Sequence, residues 1–136
     1  MKILLIDDDK LLRRAIERTL AKAGYDLICC GDGEEGVRLA AETSPDLILL
    51  DMMLPKLPGV NVLRQLKQIT STKDIPVIVL SGLSQNNAAK LLKEGAAKYM
   101  EKTEKIFQKD SALFLAIEDL LHGATGTQSA LSASTS

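Results

Sequence analysis

The sequence predicts an α/β fold, a doubly wound five-stranded parallel sheet with helices on both faces. Five short apolar runs alternate with five segments whose apolar residues recur at helical spacing. The first, third and fourth runs are apolar at consecutive positions, as strands buried on both faces are. Four of the five runs end in a polar group able to do chemistry, and the carboxyl edge of a parallel sheet is where sites form.

Taken in order, Lys2 to Ile6 is a buried-strand run that ends in Asp7-Asp8-Asp9. Leu11, Leu12, Ala15, Ile16 and Leu20 follow at helical spacing, with Arg13, Arg14, Glu17 and Arg18 as the wet side. Gly24 stops that helix. Tyr25 to Cys30 reads as the second strand. Gly31-Asp32-Gly33 is a turn, with Asp32 the N-cap of a helix running to about Thr43. Ser44-Pro45 breaks it. Leu47-Ile-Leu-Leu is the third strand and ends abruptly at Asp51, followed by Pro55, Pro58 and Gly59. Val62, Leu63, Leu66 and Ile69 mark the third helix. Ile75 to Leu80 is the fourth strand, with Pro76 tolerated near its start, and it ends in Ser81-Gly82. Ala88, Leu91 and Leu92 mark a fourth helix, stopped by Gly95. Ala97 to Glu101 is a fifth, weaker strand ending at Lys102. Leu113, Phe114, Ile117, Leu120 and Leu121 mark the last helix, which His122 and Gly123 close.

The chain has 136 residues, enough for one domain with a sizeable core, placed here at 1–122. Residues 123–136 are almost all Gly, Ala, Ser, Thr and Gln; they bury too little to offset ordering entropy and read as a flexible tail or linker. A net charge of −1 argues against direct nucleic-acid binding. No run approaches the ~18 apolar residues of a membrane span, and no signal peptide precedes the first strand, so a cytoplasmic location is expected. Cys29 and Cys30 are adjacent and read as buried or half-buried thiols in a reducing compartment. With His122 the only histidine, a zinc site lacks ligands.

The strand ends carry the functional reading. A parallel sheet brings Asp7, Asp8, Asp51, Ser81 and Lys102 to one edge. Crowded carboxylates raise one another's pKa, and a divalent cation cancels that cost. Hard oxygen ligands suit Mg²⁺ (or Mn²⁺). A carboxylate nucleophile, a cation and a lysine around one point suit phosphoryl transfer. Asp9 reads as a helix cap, and Arg13 and Arg14 as a solvated face.

These residues resemble the receiver domain of two-component response regulators, in its single-domain, chemotaxis-type form. The matching motifs are Ile-Asp7-Asp8-Asp9, Leu-Leu-Asp51-Met-Met-Leu-Pro55 with Gly59, Val-Leu-Ser81-Gly82, and Gly95-Ala-Ala-Lys-Tyr99-Met-Glu-Lys102. The resemblance implies a flavodoxin-like strand order 2-1-3-4-5. It implies that Asp51 takes a phosphoryl group from a phosphohistidine on a sensor histidine kinase or phosphotransfer protein. Asp8 and Asp51 would ligate the metal directly, Asp7 through water, and the Met53 backbone carbonyl would add a ligand. Lys102 would pair with phosphoryl oxygens. Ser81 and Tyr99 would be the switch pair, changing the surface of the fourth helix, fifth strand and fifth helix for a downstream protein. Such a chain is a phosphoacceptor that assists its own phosphorylation and dephosphorylation, and otherwise not an enzyme. It is expected to be a monomer or weak dimer.

The chain departs from the family pattern at three places. Thr103 stands where the family has proline after its lysine, often through a cis bond. Pro58 replaces a common acidic residue. Met53 and Leu83, two residues past Asp51 and Ser81, are apolar at positions that flank the attacking water; they are expected to prolong the life of the phosphorylated state. A phosphorylation-independent docking module on the same fold is the alternative reading. An aspartyl-phosphate phosphatase would want a second acid at Met53, and an electron carrier of flavodoxin type a Ser/Thr/Gly-rich loop where Asp7-Asp8-Asp9 stand.

Overall fold

The structure, a computed structural model, describes residues 1–82, 88–102, 108 and 111–123. The element order is β1 (Lys2–Ile6), α1 (Lys10–Lys22), β2 (Asp26–Cys30), α2 (Gly33–Thr43), β3 (Leu47–Asp51), α3 (Gly59–Gln68), β4 (Val77–Ser81), α4 (Ala88–Lys93), β5 (Lys98–Glu101) and α5 (Ala112–His122). All strand pairs are parallel and the sheet order is β2-β1-β3-β4-β5. Both match the expectation. The order reverses between β1 and β3, the switch point where open sheets of this kind form a crevice. The expectations for Leu83, for the Lys102–Thr103 bond and for the tail after Gly123 fall outside the described residues.

Strand side chains alternate between faces, so each strand feeds two cores. Ile3, Leu5, Leu47, Leu49, Ile78 and Leu80 pack with α1 and α5 through Leu12, Ile16, Leu20, Leu113 and Ile117. Leu4, Ile6, Ile48, Leu50, Val77 and Val79 pack with α2, α3 and α4 through Ala40, Val62, Leu63, Leu66 and Leu91. The residues of β1 from Ile3 onward, and those of β3 up to Leu50, are fully buried, which is why these runs are continuously apolar. Truncating a leucine such as Leu49 to alanine is expected to cost about 2–5 kcal/mol.

The helices start and stop where the sequence signals. Asp9 caps α1, accepting from the N–H groups of Leu11 and Leu12 at 3.0 and 3.2 Å. Asp32 caps α2 through the N–H of Glu35 at 2.8 Å, and Ser111 caps α5 through that of Phe114 at 3.2 Å. Gly24, at φ +91°, turns the chain out of α1 one residue beyond the cap, Ala23.

Some expectations shift. Leu11 is 79% exposed, not a core residue; at 100° per residue it stands off the stripe of Leu12, Ile16 and Leu20. Tyr25, Ile75, Pro76 and Ala97 precede their strands rather than open them. Two of these still serve the sheet: the Pro76 carbonyl accepts from Ile48 N–H at 3.0 Å, and Ala97 N–H donates to the Val77 carbonyl at 2.8 Å. Ile69 is the extended C-cap of α3 rather than part of it. Arg13 is half-buried, so it is not simply part of a solvated face.

Candidate functional site

The alternation that builds the two cores also builds the site. Along β1 and β3 the rows Ile3-Leu5 and Leu47-Leu49 face α1 and α5, and Asp7 and Asp51 are their next members. The β1–β3 register runs Ile3 to Leu47 and Ile6 to Leu50, so one further step sets Asp7 beside Asp51. On β5, Met100 packs against the same core, and Lys102 is the next member of its row. Ser81 continues the Val77-Val79 row of the opposite face, where Tyr99 also packs. The candidate residues thus divide by parity into an ionic group, Asp7, Asp51 and Lys102, and a group of hydroxyls, Ser81 and Tyr99.

The ionic group converges. The Lys102 Nζ lies 3.0 Å from Asp7 Oδ2 and 3.3 Å from Asp51 Oδ2. Asp7 is wholly buried and Asp51 is 3% exposed, whereas Asp8 is open to solvent at the rim. Carboxylate oxygens of Asp7, Asp8 and Asp51 all lie within 4.8 Å of one another. Asp7 Oδ1 accepts from the N–H of Asp9 at 2.9 Å, and Asp51 Oδ1 from that of Met53 at 3.3 Å. Asp7 Oδ2 is buried and, among the described residues, has the Lys102 ammonium and no further hydrogen-bond partner. Two buried carboxylates sharing one ammonium in this way are costly.

The electrostatics follow. The Asp51 carboxyl is pushed up to about 6, first by burial and then by the Asp7 carboxylate, with Lys102 and the Met53 N–H pulling it back. Burial pushes the Lys102 ammonium down, but Asp7 and Asp51 outweigh it and the net direction is up. Three carboxylates against one ammonium leave an anionic crevice. An exposed acid, a buried acid with a spare oxygen, and a strand-end acid make a hard, oxygen-only donor set, which fits a divalent ion such as Mg²⁺. The thiols of β2 are held away from the thiolate form: Cys30 is buried with its thiol pushed up to about 12 by burial and by Glu35 and Asp32, and the Cys29 thiol is also raised, by burial and Glu17.

Around this centre, Met53 is 61% exposed at the crevice mouth. Ser81 is buried at the end of β4, and Tyr99 is half-buried on β5. Lys102 N–H donates to the Ser81 carbonyl at 2.7 Å, which fixes the lysine's starting point. The sequence analysis missed two features of the loop after Asp51. Lys56 adopts a left-handed backbone, φ 66°, and its ammonium lies 3.7 Å from Asp32 of the α2 cap. A glycine at Gly33, where a helix start does not require one, was the available signal.

The response regulator receiver domain family matches residues 3–112. The chain is 39% identical over 102 residues to the alkaline phosphatase synthesis transcriptional regulatory protein PhoP of Bacillus subtilis, a match covering 74% of this chain and 42% of PhoP. It spans less than half the length of the curated relatives it matches. The phosphorylated cyanobacterial phytochrome response regulator RcpA superposes with a TM-score of 0.75 at 29% identity, covering 89% of this chain and 93% of RcpA. The receiver domain of the sensor histidine kinase PA1611 of Pseudomonas aeruginosa, solved with a magnesium ion coordinated in its active-site cleft, gives 0.75 at 29% identity, covering 90% and 97%. Family, topology and strand-end chemistry agree: this chain belongs to the response regulator receiver domains, the phosphoacceptor signalling domains of two-component systems.

Proposed function

We propose that residues 1–122 form a phosphorylation-dependent switch in which Asp51 is the phosphoacceptor. The observation that carries this is the convergence of Asp7, Asp8 and Asp51 within 4.8 Å, with the Lys102 ammonium 3.3 Å from Asp51. Asp51 attacks the phosphorus of a phosphohistidine on a sensor kinase or phosphotransfer protein; the P–N bond breaks and an acyl phosphate forms on Asp51. Burial removes water that would compete, and Asp51 must be ionised to attack. Lys102 follows the charge from the carboxylate to the incoming phosphoryl oxygens, moving only its flexible end. Asp7, Asp8, Asp51 and the Met53 carbonyl would hold Mg²⁺ or Mn²⁺, which when bound supplies charge neutralisation of the phosphoryl oxygens.

Ser81 and Tyr99 share the opposite face of the sheet from the ionic group, so a hydroxyl drawn onto the phosphoryl group frees space on the side where Tyr99 packs. That is the local event by which α4, β5 and α5 would change their surface for a downstream protein. Met53 at the mouth would slow hydrolysis by hindering water.

A docking module that never accepts phosphate has one observation in its favour: Lys102 already pairs with both buried acids. The surplus of three converging acids over the one ammonium that pairs with them favours the switch. Incubation with acetyl phosphate and Mg²⁺, read by intact mass, decides between them. One added phosphoryl group, absent in Asp51→Asn, is expected. A folded protein that takes up none would overturn the switch in favour of docking alone.

A further inference from the structure

Gly33 opens α2 immediately after its Asp32 cap, and its backbone has no positive φ that would demand glycine. Glycine is a poor helix former, so local propensity argues against it here. Space explains it. A Cβ at Gly33 would stand 2.6 Å from the Leu57 carbonyl oxygen, 2.6 Å from Val62 Cγ2 and 2.8 Å from Leu57 Cβ. The β3–α3 loop therefore rests directly on the first turn of α2.

That loop is bonded to itself at two points. Leu57 N–H donates to the Pro55 carbonyl at 2.7 Å, and Gly59 N–H donates to the Met52 carbonyl at 3.2 Å, closing residues 52–59 into a ring. Lys56 is held left-handed, where a side chain is disfavoured, with its ammonium 3.7 Å from Asp32. Inside the ring Met53 N–H contacts Asp51 Oδ1 at 3.3 Å. Two locally unfavourable choices, a glycine in a helix and a lysine at positive φ, thus meet at the loop that follows Asp51. Sequences break local rules mainly where a site demands it.

We propose that Gly33 and Lys56 are positioning residues for the cation site: the first turn of α2 buttresses the β3–α3 loop and so sets the Met53 main chain against Asp51. This rests on the reading of Asp51 and Met53 as cation ligands. A methyl at 33 pushes the Leu57 carbonyl outward, and the closed ring passes that shift to Met53.

The test is calorimetric titration of Mg²⁺ into the unphosphorylated full chain, beside the Met53 amide resonance and the melting temperature. Gly33→Ala is expected to weaken Mg²⁺ about tenfold, the range seen when a group supporting a metal ligand is lost, and to displace the Met53 amide. Ala40→Gly, which loosens α2 in its buried stripe away from the loop, is expected to lower the melting temperature and leave Mg²⁺ affinity unchanged. Should Gly33→Ala fail to fold, Lys56→Gly decides. Its melting temperature is expected to hold or rise, because the left-handed strain is relieved, while Mg²⁺ affinity falls about threefold, the size of the exposed Lys56–Asp32 contact that is lost. Wild-type affinity in the folded Gly33→Ala protein, an equal loss in Ala40→Gly, or unchanged affinity in Lys56→Gly would overturn the buttress and leave the receiver reading standing. A wild-type chain that binds no Mg²⁺ would overturn both.

Discussion

The two ends of the parallel sheet treat polar groups in opposite ways. At the amino end they pair off. Lys2 N–H donates to Asp46 Oδ2 at 2.8 Å, Asp46 N–H returns a bond to the Lys2 carbonyl at 2.8 Å, and Lys2 Nζ donates to the Thr43 carbonyl at 2.9 Å. Buried Thr72 donates its hydroxyl to the Leu66 carbonyl at 2.6 Å. The phenol of Tyr25 bonds to Glu118 and lies 2.9 Å from His122 Nε2, tying the end of α5 to the start of β2. At the carboxyl end, two acids are buried side by side and share one ammonium, and the Asp51 carboxyl is raised to about 6. One end is arranged for stability. The other holds charge in readiness, at the expense of stability.

Substitutions at the two ends should therefore have opposite signs. Asp51→Asn is expected to make the largest change, abolishing phosphoryl uptake while raising the cation-free stability at pH 7–8 by about 3 kcal/mol, since lifting the carboxyl from its ordinary 3.8 to about 6 corresponds to roughly that much. Urea unfolding in a chelator checks the second part; a destabilised Asp51→Asn would mean that Lys102 needs both acids more than the acids repel each other.

The same shift sets a pH dependence. Because the folded Asp51 pKa lies above its unfolded value, the folded state holds the extra proton between about pH 4 and 6. Asp51's contribution to the stability of the cation-free protein is expected to be fully present below that window and to be lost as pH rises through it, a term read as the difference from Asp51→Asn. Added Mg²⁺ should flatten the fall and bind more tightly as pH increases past 6. A difference that climbs with pH across this range, with no Mg²⁺ present, would break the contrast between the two ends.

Thr72→Val removes a satisfied donor at the amino end and leaves the Leu66 carbonyl short of a partner; a loss of about 1–2 kcal/mol is expected with Mg²⁺ affinity untouched. The smallest effect belongs to Asp46→Ala. Its carboxylate pairs with an exposed N–H, so about 0.5 kcal/mol is expected, near the limit of denaturant melts. A fall in Mg²⁺ affinity in either variant would show the two ends to be coupled.

The apolar runs, caps and stops were legible because each depends on neighbours a few residues away. Asp9, Asp32 and Ser44 illustrate this: a capping carboxylate or a left-handed stop before Pro45 is a local matter. Leu11 was misread because a helical stripe has edges that spacing alone blurs. The acids were legible as a group since the end of a buried strand has few places to go. The roles of Lys56, Gly33 and the Tyr25–Glu118–His122 contact were not, since each is defined by residues distant in the chain.

The sequence by itself determined the alternation of strands and helices and delivered Asp7, Asp51, Ser81 and Lys102 to one edge. Only the tertiary structure decided which of them meet. Register and side-chain parity set Asp7, Asp51 and Lys102 on one face and Ser81 on the other. Register is a property of paired strands, fixed by the packing of both cores at once, and no single segment contains it.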